Sequence, residues 1–291
     1  MNRIAVLVLS LLLGACGHRP IEGRDALFAD QLFSPPAERI SAERVFALSE
    51  PMRRYLEVEM KGALATRGLN RGLLEALYRK NGLHLEYDAA VTRNAAEAFE
   101  ARSGNCLSLV IMTAAFAKEL GLEVRYQGAF IEPSWSRVGG LHFLAGHVNL
   151  RLGGPSTGTR TTFDAGAWLV VDFLPASQVR GLRTWPIPES TIVAMYFNNR
   201  AAESLARGQL SEAYWFTKAA IGQDPAFLNA YNTLGVVYLR RGDAAQAERV
   251  LRAILERESD NAQALSNLVL ALERSGRVAE SPCPTAGDQV E

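Results

Sequence analysis

Between Arg44 and Phe173 the spacing of apolar side chains changes character, and each change marks a different kind of element. Over Arg44 to Ala65 and Leu69 to Tyr78 they return every three to four positions, so helices are predicted there. Asn81-Gly82 then punctuates the chain before a short apolar stretch, Leu83 to Tyr87, that reads as a strand. Thr92 or Asn94 can cap the next helix, which runs to about Arg102. From Leu107 to Leu120 the apolar run is almost unbroken, the pattern of a buried helix, with Gly121 suited to close it in a left-handed conformation. Glu123 to Ile131, His147 to Leu152 and Trp168 to Phe173 read as strands, and Gly153 to Gly166 as a long hairpin connection.

The C-terminal third repeats. Gly208, Gly242 and Gly276 recur every 34 residues, each after an apolar helix-like stretch and the first two before another. That period resembles the tetratricopeptide repeat. Ala213 and Ala247 share one phase, Phe197, Tyr231 and Leu265 another, and Asp224-Pro225 ends the first unit. About two and a half units fit within residues 190–281. Because each repeat buries its apolar face on a neighbour, so short an array is expected to lean on the preceding domain.

The two ends and the charge balance narrow where such a chain works. Arg3 precedes an apolar run, Ile4 to Leu13, too short to span a bilayer comfortably and suited to an export signal. The run ends in Leu13-Gly14-Ala15-Cys16, which resembles the bacterial lipobox. That resemblance implies removal of residues 1–15 as a signal peptide and lipidation of Cys16. With Gly17 rather than Asp following, it implies an outer-membrane anchor facing the periplasm. Residues 16–40, which mix Pro, Gly and charge, are expected to be a tether. The 31 basic and 31 acidic residues cancel, which removes the field that would collect nucleic acid. Cys16, Cys106 and Cys283 do not make a disulfide framework, and Cys283, between Pro282 and Pro284, falls in a tail at 282–291 expected to be unstructured.

Cys106 therefore needs its own reason. It stands in the first turn of the buried helix, where unpaired N–H groups and the helix dipole favour a thiolate, and Gly104 leaves room for a substrate carbonyl. An inert, packed cysteine is the competing reading. Of the four histidines, His18 lies in the tether and His84 in the short strand. His147 heads an alternating strand and is the favoured base, with His142, in a Gly-containing approach loop, as the alternative. Asp172 lies within an apolar strand, where an ionised carboxylate is costly unless paired, whereas Asp164 beside Ala165-Gly166 suits a turn. No paired Cys-x-x-Cys or His-x-x-x-His spacing suggests zinc, and no Gly-rich phosphate loop suggests a nucleotide. No metal or cofactor is implied.

The stretch Thr92 to Gly121, with Ala95-Ala96-Glu97-Ala98-Phe99 leading into Arg102-Ser103-Gly104-Asn105-Cys106-Leu107-Ser108, resembles the transglutaminase-like superfamily of papain-fold proteins. The order of a Cys at a helix start, a His opening a strand and an Asp after a Trp-containing segment agrees, over roughly residues 75 to 175. Val148-Asn149-Leu150 departs from it, because an aromatic-containing strand commonly follows the His. The resemblance implies an α+β domain at 41–186, with N-terminal helices, the Cys on a core helix and an antiparallel sheet, followed by an all-α repeat array. It further implies that Cys106 attacks an amide or ester carbonyl, His147 exchanges the proton and Asp172 holds the imidazole. The backbone N–H of Cys106 would serve the oxyanion, and no second donor is assigned. The expected function is an envelope-anchored thiol hydrolase, of peptidase or amidase type, acting on a protein or peptide. The repeats would bind a protein partner, and the lipid would hold the chain to the membrane. Alternatives are a non-catalytic adaptor lipoprotein that works through its repeats and a transglutaminase-type acyl transferase.

Overall fold

The computed structural model describes residues 20–78, 82–138, 141–155, 168–174, 181–277 and 280, with the side chains of 130–146 and 155 outside the description. The expected signal peptide at 1–15, Cys16, Asp164, Cys283 and the expected tail at 282–291 lie outside the described residues.

The chain mixes helix and sheet up to Ile187 and is helical after it. Helix α1 (Glu50–Val58) begins later than the apolar period suggests, because Pro51 fits only a first helical turn. A turn at Glu59-Met60, with Met60 fully buried, separates α1 from α2 (Lys61–Arg67), and α3 (Leu69–Tyr78) follows. The helical spacing from Arg44 to Ala65 thus resolves into a 3-10 turn at Ala42–Arg44 followed by two helices.

Strand β1 is only Glu86–Tyr87, and His84 precedes it in a left-handed conformation (φ 52°) rather than within it. Helix α4 (Ala95–Ala101) starts with a capping box: Asn94 accepts from the Glu97 N–H, and Glu97 accepts from the Asn94 N–H. Arg102 (φ 49°) ends α4 and turns the chain into β2 (Ser103–Gly104), which pairs parallel to β1. Helix α5 (Cys106–Glu119) follows at once, buried from Leu107 to Ala117, and Gly121 (φ 69°) lies just past its end.

A long antiparallel hairpin, β3 (Leu122–Val138) and β4 (Leu141–Pro155), forms the centre of a four-stranded sheet ordered β5-β4-β3-β6. Strand β5 is Leu169–Val171, and β6 (Thr184–Ile187) adds an edge that the apolar pattern did not mark. His142 is corrected from a loop to β4, where its backbone stands opposite Arg137.

The repeat region comprises α6 (Glu189–Ala206), α7 (Leu210–Gln223), α8 (Leu228–Arg241), α9 (Ala244–Leu255) and α10 (Ala262–Arg274). The 34-residue glycine period has a mechanical origin: Gly208, Gly242 and Gly276 each adopt φ between 71 and 91° just beyond α6, α8 and α10. Ala213, Ala247 and Tyr231, which share the repeat phases, are fully buried, and Phe197 is buried.

The expectation of a tether across residues 16–40 is corrected where the structure describes it. The Ala29 N–H donates to the Tyr214 hydroxyl, which donates to Asp30, and Lys218 pairs with Asp30 at 2.6 Å. Phe33 stacks on Tyr214 with ring centroids 4.0 Å apart, and the Trp215 indole N–H donates to the Ser34 carbonyl. Residues 24–37 are a strap laid on α7 and α8. Polar and charged residues hid this because the few apolar anchors, such as Phe33, follow no helix or strand period.

Candidate active site

Cys106 owes its position to β2 and its orientation to a cap. Asn105 Oδ1 accepts from both the N–H and the hydroxyl of Ser108 at 2.9 Å, which fixes the first turn of α5. The Asn105 amide donates to Thr92 Oγ1 at 2.8 Å, and the Arg93 N–H donates to Ser108 Oγ. Thr92 is thus not a helix cap but a buried tie between the loop before α4 and the start of α5. Gly104 is forced: a Cβ there would lie 2.6 Å from Ser108 Cβ. Cys106 itself is a free, partly buried thiol.

His147 and Asp172 come from neighbouring strands. Along β4, His147 and Asn149 alternate with Val148, Leu150 and Leu152, and both sets are buried, so polar side chains sit in the interior and require partners. His147 Nε2 meets Asp172 Oδ1 at 2.8 Å and Oδ2 at 2.9 Å, with side-chain exposures of 2% and 6%. Asp172 stands just past β5 rather than inside a strand reaching Phe173, so its carboxylate can also accept the Leu174 N–H at 2.9 Å. The Asn149 amide completes the set, donating to Oδ2 at 2.9 Å.

Charges follow from these contacts. Burial opposes ionisation of Asp172, but hydrogen bonds from His147, Leu174 and Asn149 prevail and hold the carboxyl below its ordinary range. Burial likewise pulls the imidazole down, yet the hydrogen bonds to Asp172, together with the Cys106 sulfur, push His147 up to about 9. Facing an ionised carboxylate, Nε2 donates the proton it carries, and below about pH 9 Nδ1 is protonated as well.

Of the three residues singled out in the sequence, His147 and Asp172 are hydrogen-bonded to each other, and Cys106 lies near enough to His147 to raise its pKa. His84 takes no part in the described contacts of this cluster, and the side chain of His142, the alternative base, lies outside the description. Asn149 was missed, although it falls where the sequence departs from the family pattern, and a buried amide two residues after a buried imidazole is the signal that marks it. Tyr87 was missed as well. It is 57% exposed and stands opposite Gly104, two residues before Cys106. A cleft of about 810 Å³ opens beside Asp172, lined by Arg67, Arg71, Tyr78, Asp172 and Phe173 among others but not by Cys106. Trp168, ahead of β5, packs over Gly153 beneath the Arg125 guanidinium, 4.3 Å from its ring centre, which accounts for it structurally.

The arrangement also touches the repeats. Asn199 on α6 donates to Thr92 Oγ1 at 3.2 Å, and Glu203 accepts the Thr92 N–H at 2.7 Å. Residues 204–280 match the family model for the Tetratricopeptide repeat, in keeping with the 34-residue period and the paired helices. Comparison with curated proteins and with solved structures gives no match.

Proposed function

We propose that residues 41–186 form a transglutaminase-like, papain-fold domain and that the protein is an envelope-anchored thiol hydrolase of peptidase or amidase type. One observation carries the reading: a buried imidazole is bound through Nε2 to an ionised carboxylate, and a thiol at the start of a buried helix lies near enough to help raise its pKa. An imidazole held this way has a chemical use that core packing alone does not require.

In the first half-reaction the Cys106 sulfur adds to the carbonyl carbon of an amide or ester while its proton resides on His147 Nδ1. The tetrahedral intermediate collapses, the bond to the leaving group breaks, and that group takes the proton from Nδ1. Water then adds to the thioester carbonyl and gives a proton to His147. The carbon–sulfur bond breaks, the acid departs, and the thiol is restored. An amine in place of water would give acyl transfer instead.

The test is a single-turnover acylation with p-nitrophenyl acetate, read as p-nitrophenolate release and as an acetyl group on the Cys106 peptide by mass spectrometry. We expect stoichiometric acetylation of the wild type and none at that position in Cys106→Ala. A folded wild type that takes no acetyl group on Cys106 and releases p-nitrophenolate no faster than Cys106→Ala refutes the hydrolase. Anchoring is tested separately, by radiolabelled palmitate entering the wild type and not Cys16→Ser.

The second reading, an adaptor lipoprotein, draws on the match of residues 204–280 to a family associated with protein binding. It takes the lead if Cys106 stays inert in the folded chain and labels only after unfolding.

A further inference from the structure

An acyl-transferring thiol needs two hydrogen-bond donors where the carbonyl oxygen becomes an oxyanion, and the Cys106 backbone N–H supplies at most one. We propose that Tyr87 supplies the second, its phenol donating to the oxyanion of a substrate attacked by Cys106, a role that rests on the hydrolase reading above.

Placement is the first support. Parallel pairing sets Tyr87 opposite Gly104, two residues before the nucleophile. The strand is clamped on both sides, by the Glu86 N–H on the Arg102 carbonyl at 2.9 Å and the Asp88 N–H on the Gly104 carbonyl at 3.1 Å. Asp88 is held in turn by Arg93 at 2.8 Å and by the Ala90 N–H, so the backbone beneath the ring is fixed from several directions. A donor on such a base meets the requirement that oxyanion stabilisation be preorganised.

The side chain itself is the second support. Tyr87 is among the few large, exposed hydrophobic side chains of the described residues, and its hydroxyl has no hydrogen-bond partner among them. Elsewhere in the molecule the hydroxyls of Tyr55, Tyr78, Tyr126, Tyr214, Tyr231 and Tyr238 each bond a protein group. Desolvation, and then the sulfur of Cys106, raise the pKa of the Tyr87 phenol, so it keeps the proton it must donate.

In the acylation step the sulfur–carbon bond forms and the carbonyl electron pair moves onto oxygen. The Tyr87 O–H donates a hydrogen bond to that oxygen without losing its proton. The pair returns as p-nitrophenolate leaves. Alkylation by iodoacetamide offers the contrast: sulfur displaces iodide at a saturated carbon and no oxyanion forms.

Full-length wild type and Tyr87→Phe should therefore be compared in both reactions, with modification of Cys106 followed by peptide mass spectrometry. We expect acylation by p-nitrophenyl acetate to slow on the order of 10²-fold, while alkylation stays within about twofold. Tyr87→Phe keeps the ring, so folding is not at issue. Equal slowing of the two reactions would overturn the proposal by tracing the effect to the thiol. Unchanged acylation in Tyr87→Phe, with an active wild type, would overturn it alone. A wild type inert to both reagents would remove the hydrolase reading and this inference with it.

Discussion

The repeat array and the domain before it hold their key residues in place over different ranges along the chain. In the array, a left-handed glycine closes α6, α8 and α10 at one spacing, and each helix packs on the next in sequence. In the first domain, His147 and Asp172 lie 25 residues apart and meet only through the pairing of β4 with β5, while Cys106 arrives from a separate helix. A residue in the array is held by its neighbours in sequence, and a residue in the cluster by a core that does not need its chemistry. Substitutions in the array should therefore cost stability. Those in the cluster should cost reactivity while the fold survives.

Asp172→Asn sharpens that contrast most. Asparagine turns an N–H₂ group toward Nε2, which then must accept, so the ring proton moves to Nδ1, where the thiol needs a base. Acylation of Cys106 by p-nitrophenyl acetate should fall on the order of 10³ to 10⁴-fold, with far-ultraviolet circular dichroism unchanged. A loss of less than tenfold would remove the carboxylate from the proposed mechanism.

Phe33→Ala tests the other side through the strap laid on the array. Phe33 is buried against Tyr214, and truncation should cost about 3 kcal/mol in urea unfolding. The rate of Cys106 acylation below the transition should stay at the wild-type value. If the rate collapses while stability holds, the separation of the two regions is wrong.

The same division governs what could be read from the chain. Glycines in phase and buried alanines are local signals, so the array was legible, and the family match at 204–280 agrees. The buried helix behind Cys106 was legible for the same reason, since eleven consecutive buried residues leave no polar face. The contact of Asp172 with His147 followed from the cost of an unpaired carboxylate in an apolar stretch. What escaped notice depends on pairing between distant segments: β6, Asn149 on the carboxylate, Tyr87 across from Gly104, and the strap on α7 and α8. His84 was misread as lying in a strand because composition outweighed its left-handed backbone, and the start of helix near Arg44 was placed too early because Pro51 was not weighed.

Proton linkage gives the next effect. His147 has a folded value of about 9 against an ordinary 6.5, so the folded protein binds this proton more tightly. Its contribution is fully present below pH 6.5 and is lost as pH rises through 9. Asp172, held low, contributes above its ordinary value of 3.8 and loses that contribution on acidification. The stability advantage of wild type over His147→Gln, measured by urea unfolding, should therefore be largest near pH 6 and shrink by about 3 kcal/mol by pH 9.5. A gap that stays constant over this range would mean that His147 is neutral throughout.

The smallest effect probes the seam between the two regions. Asn199 reaches from α6 to Thr92, and Thr92 holds the Asn105 amide that orients the cap on α5. Asn199→Ala removes one of the hydrogen bonds that Thr92 Oγ1 accepts, while Asn105 keeps its own bond to Thr92 and both of its bonds to Ser108. Stability should fall by about 1 kcal/mol, as for a single hydrogen bond, and acylation by less than about threefold, because the first turn of α5 remains capped. Paired with Asn105→Ala in a double-mutant cycle, it should show a coupling of about 0.5 kcal/mol or more, since both amides converge on one oxygen. A large loss of acylation without loss of stability would mean that α6 governs the reactivity of the thiol. The first repeat would then belong to the reacting cluster, because its amide would control how Cys106 meets His147.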